Sequence, residues 1–371
     1  MNQKVLILGG CGRIGNNVAG DLLKYTESTV IVTSRRLNGE SVGGIGSVGE
    51  GGRKEFLQLD LADRDRLCQV IRSCDLVVHC AGPFDYRDAF VLQSCIELGV
   101  NYLDVSDRPP FVKKALTYRE AAQKAGVTAI LSTGVFPGIS NSMVRQGVES
   151  LDRAEAIYLY YVVAGSGGAG VTVMRTTFLG LQHPFQAWIE GEWREVLPYS
   201  DRILADFPDP YGKVGVYWFE VAETYSFVES FPGVKTVVTK FGSFPDFYNH
   251  LTWLTARFMP PAWLSNSIEF LSQTAYKMTE FTDTFSGVGV AMTAKIQGIK
   301  QGKKATAFVR FVHPHTATAA GYGTGSVARS LLMGELKKPG VWSVEQAFPT
   351  AIFQREMRKR NMAIEVQITN L

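Results

Sequence analysis

The sequence predicts an α/β fold, a parallel sheet with helices on both faces, joined to a second domain of α+β character. Three observations carry that expectation. Over the first 145 residues, apolar runs of about five or six residues alternate with helical patterns. A glycine-rich turn links the first run to the first helix. From about residue 154 the pattern changes to a strand, a turn and a helix, and later to a hairpin and further helices.

The chain has 371 residues, room for two domains or one domain with a large insertion. With 46% hydrophobic and 20% charged residues it reads as globular. A net charge of +3, with no basic stripe, argues against nucleic acid as a partner. The five cysteines (Cys11, Cys68, Cys74, Cys80, Cys95) are an odd number without a loop framework. They read as free thiols in a reducing, cytoplasmic setting, and no metal site is expected of them. The opening apolar run is broken by Gly9 and Gly10, unlike a secretion signal. No apolar run approaches the roughly 18 residues of a membrane span.

The expected strands lie near 4–8, 29–34, 55–60, 75–80, 101–106 and 127–133, with helices near 13–25, 63–73, 87–98 and 110–125. Right-handed crossovers make such a sheet parallel, and ligands then sit beyond the carboxyl ends of its strands.

After the first strand, Gly10, Gly12 and Gly15 stand in GxGxxG spacing. Gly10 permits a tight turn, Gly12 lets backbone approach a pyrophosphate, and Gly15 lets the helix pack on the strand. The helix N-terminus adds free N–H groups and partial positive charge. Strand, turn and helix in that order are the context of a Rossmann dinucleotide site, to which Gly10, Gly12, Arg13, Ile14 and Gly15 are assigned. Two readings stand for Cys11: a residue small enough for the turn, or a thiol whose pKa the helix N-terminus lowers.

The second strand ends in Ser34, Arg35 and Arg36, where an NAD site usually places Asp or Glu. A hydroxyl and two guanidiniums suit the 2′-phosphate of NADP instead. The glycine-rich 39–52 segment that follows reads as a surface loop. Asp60 and Leu61 after the third strand flank the adenine in this reading, and Asp63 is a candidate helix cap. Cys80, Ala81 and Gly82 end the fourth strand with small residues that admit the inner ribose. Pro83 and Phe84 then shape a wall near the nicotinamide. "YLDVSDRPP" and "STGVFPGISN" close strands five and six.

The second half holds "GSGGAG" (165–170) before a helix, a hairpin over 286–312 with Gly302 in its turn, and two helices with a closing strand at the C-terminus.

Taken together, "GGCGRIG", "CAGPF", "YLDVSD", "FPGISN", the "GSGGAG" turn with "RTTF", and "KKPGVWSVEQ" resemble the saccharopine dehydrogenase-like NADP oxidoreductases. The similarity touches nearly the whole chain and is strongest in the first 145 residues and around 165–180. It implies a nucleotide domain of residues 1–145 completed by C-terminal helices (about 316–371). It also implies an α+β substrate and dimerisation domain over 146–315, and hence a homodimer. The implied chemistry is reversible hydride transfer at a C–N bond, linking an amino acid to a keto acid or aldehyde. Members of the family also act on polyamine precursors, and some distant ones are linked to lipids.

Such chemistry needs groups that orient a small-molecule substrate and polarise the acceptor. Arg175, in the first turns of the helix after "GSGGAG", is the candidate carboxylate clamp; the alternative is an arginine paired to a surface carboxylate. Asp107, Tyr225 and His183 are the candidate proton donors. Between 241 and 281, Phe247, Leu251, Leu254 and Phe258 share one helical stripe. Leu264, Ile268, Leu271, Ala275 and Met278 form a second, with Trp263, Phe270 and Phe281 on another side. These faces read as core or subunit contact, or as cover for an oily substrate or contact with a membrane surface. Two other functions therefore stand beside the first: an NADPH-dependent reductase of an isoprenoid or lipid, and a non-catalytic NADP-binding scaffold or assembly factor.

Overall fold

A computed structural model describes residues 3–35, 52–165, 167 and 170–370. The chain divides into two compact units. One comprises Met1–Ile139 with Ala317–Glu356, the other Ser140–Thr316 with Met357–Leu371.

The sheet of the first unit is built from β1 (Lys4–Leu8), β2 (Thr29–Ser34), β3 (Lys54–Gln58), β4 (Leu76–His79), β5 (Asn101–Asp104), β6 (Thr128–Leu131) and β15 (Gly340–Ser343). Their order is β15-β6-β5-β4-β1-β2-β3, and every pairing is parallel. The strand order reverses between β1 and β4, which opens a crevice at their carboxyl ends. Val5 to Leu8, Leu76 to Val78 and Ala129 to Leu131 are buried, as continuous apolar runs in a sheet covered on both faces must be. Helices α1 (Arg13–Tyr25), α2 (Arg64–Ile71), α3 (Phe90–Leu98), α4 (Pro109–Leu116), α5 (Arg119–Ala125), most of α11 (Thr316–Leu332) and α12 (Val344–Ala347) belong to this unit. Glycines let α11 lie close to its neighbours. A Cβ at Gly321 would meet Asn17 of α1 at 2.5 Å, and one at Gly323 would collide with the Gly134 carbonyl oxygen.

Strands β3 to β6 stop one or two residues before the sequence pattern does. The expected helix over 110–125 is two helices, α4 and α5; Thr117 between them turns its hydroxyl onto Lys114 O at 2.7 Å. Strand β15, only four residues long, was not expected at all.

The second unit holds β7 (Arg153–Ala164), β8 (Phe185–Ile189), β9 (Glu192–Val196), β10 (Ile203–Phe207), β11 (Gly212–Trp218), β12 (Thr236–Phe244), β13 (Val290–Lys300), β14 (Lys303–His313) and β16 (Glu365–Asn370). The order is β10-β11-β12-β7-β13-β14-β16, with β8 and β9 beside β12; only β7 and β12 pair in parallel. The hairpin β13–β14 turns on Gln301 and Gly302, both at positive φ (51° and 74°), the geometry a two-residue turn requires. Pairing of β16 with β14 corrects the expectation that residues up to 371 complete the nucleotide domain: the last strand belongs to the second sheet. Its ladder partners lie some sixty residues upstream, a pairing that local pattern does not encode.

Helices of this unit are α6 (Ile139–Glu149, from Ser140 on), α7 (Val171–Leu179), α8 (Ala222–Ser230), α9 (Phe247–Phe258) and α10 (Pro261–Ser286); α13 (Thr350–Lys359) bridges the division. Leu264 and Ile268 of α10 are buried, whereas Trp263, Phe270, Phe281 and Phe285 are 69%, 72%, 75% and 78% exposed. On α9, Phe247, Leu254 and Phe258 are exposed too. The described helices include none long and apolar enough to cross a membrane.

Candidate cofactor site

The turn after β1 is a cradle of backbone. Gly9 adopts φ +73°, its N–H donates to Thr33 Oγ1 at 3.1 Å, and Gly12 N–H donates to Gly9 O at 2.9 Å. A Cβ at Gly15 would collide with Gly9 O, and one at Gly10 would meet Val32 Cβ at 2.8 Å. Gly12 is the N-cap of α1; no side chain caps it and no acid stands in the first turn. Arg13 is exposed and Ile14 half-buried at this helix end. No acid in its first turn compensates the positive end of α1, and the glycines let the turn pack tightly on itself, on Val32 and on Ala81. Both features fit a dinucleotide pyrophosphate. Burial raises the Cys11 thiol against the pull of Lys54, which favours Cys11 as a residue small enough for the turn.

Beside the cradle, Ser34 ends β2 and Arg35 is exposed. Arg36 and most of the 39–52 loop lie outside the described residues. The adjoining β3 end carries exposed Asp60, whose Oδ1 accepts Ala62 N–H at 3.0 Å, and half-buried Leu61. Asp63 caps α2 by accepting Arg66 N–H at 3.1 Å. At the end of β4, Cys80 N–H donates to Leu8 O at 2.8 Å, Ala81 lies against Gly9, and the Gly82–Pro83 peptide is cis. The Cys80 thiol is held above its ordinary range by burial and then by Asp104. These sequence-assigned residues therefore gather along the carboxyl ends of β1 to β4.

Two features were not anticipated. Arg87 anchors its Nε on Ala81 O at 2.8 Å. Asp104, at the end of β5, is the hub of a buried network. Its Oδ1 accepts Ser106 N–H (3.0 Å), Ser106 Oγ–H (2.7 Å) and Ser132 N–H (2.7 Å), and its Oδ2 accepts Tyr102 O–H (3.1 Å). With the one Tyr102 proton given to Asp104, His79 Nδ1 is the donor in its 3.2 Å bond to Tyr102. Burial, then the charge of Arg87, pushes His79 down to about 3, so it stays neutral. Ser132 sits at φ +61°, a left-handed conformation costly for a residue with a side chain, held by the bond to Asp104. The network thus ties together the loops after β5 and β6.

On the β5 loop, Asp107 is half-buried and pushed up to about 6. Burial is the main cause, Arg108 opposes it, and Asp85 and Asp104 add to it. Arg108 itself is 8% exposed and pairs through Nε with Asp85 Oδ1 at 2.6 Å.

The remaining candidates lie in the second unit. Arg175 binds Glu269 Oε2 through Nε (3.0 Å) and Nη2 (2.5 Å), so its guanidinium already has a surface carboxylate. Tyr225 donates to Glu220 at 3.0 Å and stacks on Trp193 at 5.4 Å. His183 is exposed. Among the described residues no cluster of metal-ligating side chains occurs.

Residues 5–130 match the family model described as the saccharopine dehydrogenase NADP binding domain. The chain is 25% identical over 369 residues to carboxynorspermidine synthase of Vibrio cholerae, covering 90% of this chain and 87% of that one. It is 24% identical over 309 residues to carboxyaminopropylagmatine dehydrogenase of Synechocystis, covering 74% and 75%. Saccharopine dehydrogenase (L-Glu forming) from Saccharomyces cerevisiae shares the fold, with a TM-score of 0.71 at 15% identity over 99% of this chain and 100% of that one.

Proposed function

We propose that the chain is a saccharopine dehydrogenase-like NADP-binding oxidoreductase that transfers hydride between NADP(H) and the C–N bond of an amino or imino acid; the match over residues 5–130 and the two relatives support this. The names of the two curated relatives denote carboxyl-bearing amines, which supports that substrate class.

The observation that carries the proposal is Asp107, a half-buried carboxyl beyond β5 pushed up to about 6. Bound NADPH supplies the hydride that the carbon of a C=N bond accepts. Asp107 holds the matching proton below about pH 6 and delivers it as the nitrogen becomes an amine. In the reverse direction its carboxylate takes that proton back. The Arg108–Asp85 pair fixes the start of α4 beside Asp107. Asp104 ties the two loops together through Ser106 and Ser132. Tyr225 is engaged by Glu220, so this reading uses Asp107 as the donor. Arg175 serves a substrate carboxylate by exchanging Glu269 for it.

The test is incubation of the purified chain with NADPH, primary amines and carboxylate-bearing aldehydes or keto acids. NADPH oxidation should require both partners and yield one secondary amine by mass spectrometry. Oxidation with a carbonyl compound alone would overturn the C–N assignment. The exposed aromatic faces of α9 and α10 support a second reading, reduction of a hydrophobic metabolite, which the same assay with isoprenoid and lipid carbonyls tests.

Those faces also support a homodimer, in which a second copy covers them. Light scattering should then give a dimer that Phe270→Glu with Phe281→Glu dissociates. A monomer that co-sediments with lipid vesicles would instead make the face a membrane contact. The five free cysteines support a cytoplasmic setting.

A further inference from the structure

We infer that Arg87 is a specificity residue for the cofactor, a further guanidinium that joins Arg35 on the adenosine 2′-phosphate; the inference rests on the NADP(H) reading. Arg87 follows the short turn Phe84–Tyr86 beyond β4 and is half-buried. Its Nε is spent on Ala81 O at 2.8 Å, and Ala81 lies against the backbone of Gly9 in the cradle. The anchor fixes the plane of the guanidinium and leaves the two terminal nitrogens for another acceptor. Among the described residues those nitrogens have no hydrogen-bond or ion-pair partner.

The charges around Arg87 show what is missing. Arg35 is near enough for its charge, after burial, to hold the Arg87 guanidinium below its ordinary range. Asp60 and Asp88 act in the opposite sense without bonding it. Asp88 is committed elsewhere, one oxygen to Arg64 at 2.8 Å and the other to Phe90 N–H at 3.2 Å. Asp60 turns Oδ1 onto Ala62 N–H. Arg35 beyond β2 and Arg87 beyond β4 thus feel each other's charge, the second of them anchored, with no carboxylate among the described residues bonded to either. Like charges held together in a half-buried place call for a polyanion. A phosphate monoester carries nearly two negative charges at neutral pH and offers three acceptor oxygens. In a dinucleotide lying along these strand ends, the group that meets the end of β2 is the adenosine 2′-phosphate.

The anchor also separates Arg87 from Arg35 in kind. Arg35 is exposed beyond the end of β2, whereas Arg87 is half-buried and held by Ala81 O before the ligand arrives. Lysine at 87 keeps the charge but loses both the anchor and the fork.

The experiment is calorimetric titration of adenosine 2′,5′-bisphosphate and adenosine 5′-monophosphate into the full chain, with no turnover involved. Wild type should bind the bisphosphate the more tightly. Arg87→Ala should weaken bisphosphate binding by about tenfold or more and leave the monophosphate unchanged, with Arg87→Lys in between. Equal losses for both nucleotides would overturn the assignment and make Arg87 a prop of the Ala81 loop, as would no loss for either. If Arg35→Ala abolishes the preference while Arg87→Ala does not, the cofactor reading survives and the Arg87 assignment falls. If wild type shows no preference between the nucleotides, both fall.

Discussion

The two halves of the parallel sheet treat polar groups in opposite ways. At the carboxyl ends of β1 and β2, α1 starts with no capping side chain and Arg35 is exposed, and half-buried Arg87, from beyond β4, has no carboxylate bonded to it among the described residues. Around β4, β5 and β6 the polar groups are buried and bonded to one another through Asp104, Tyr102, His79, Ser106 and Ser132. Unmatched charge costs little at a surface and much in a core. The first half is therefore completed by an anion from outside. The second half bonds largely to itself and holds a geometry, with Asp107 on the loop that follows β5.

If the β5 loop is where a proton is moved, the largest effect belongs there. Asp107→Asn should lower the rate of C=N reduction by about 10²- to 10⁴-fold. Its pKa is raised, so the acid is charged with its proton below about 6, and the wild-type reductive rate should fall as pH rises through that value. The Asn variant should lack that limb. Stability follows the same sign: the contribution of Asp107 is full below the unfolded value of 3.8 and is lost as pH climbs through about 6. Melting curves of wild type and Asp107→Asn taken across that window should therefore converge toward acid or diverge toward neutrality in the order this predicts, the wild type losing ground as pH rises.

Next in size is the hub. Asp104→Ala strips acceptors from two backbone N–H groups and two hydroxyls, and should cost roughly 3 kcal/mol or more in urea denaturation. A loss well under 1 kcal/mol would show that the buried half is not held as described. On the exposed half, Arg35→Ala should weaken NADPH binding by about tenfold, leave NADH binding unchanged, and leave stability untouched. That contrast, stability on one side and affinity on the other, is the sharpest form of the comparison. The smallest effect is expected at Arg175, where Arg175→Ala should raise the substrate KM a few-fold with no change in cofactor affinity. No change in KM would leave Arg175 as the surface partner of Glu269.

The phosphate turn and the end of β2 were legible in the sequence; Arg87 and the Asp104 network were not. Glycine spacing and the "SRR" strand end are local signals, because a phosphate turn is made by consecutive residues. Helix α1 falls on 13–25 as the pattern predicts, for its glycine turn and apolar positions are local too. Arg87 escaped notice because its meaning depends on Ala81, Gly9 and Arg35, which only the folded strand order brings near. Asp104 escaped for the same reason: its partners are Ser106 and Ser132, the latter on another strand end. Strand β15 is short and pairs with β6 across some two hundred residues, and β16 joins a sheet whose other members lie far upstream. The α9 and α10 stripes were visible as patterns, yet periodicity alone does not tell a buried stripe from an exposed one; the structure buries Leu264 and Ile268 and exposes Phe270 and Phe281.

The central claim is that the first unit grips a 2′-phosphorylated dinucleotide through its backbone cradle and its arginines. Titrating the wild-type chain with NADPH and with NADH, under one buffer, tests it most directly. The account predicts that NADPH binds at least about tenfold more tightly. Equal affinities, or no binding of either, would contradict it.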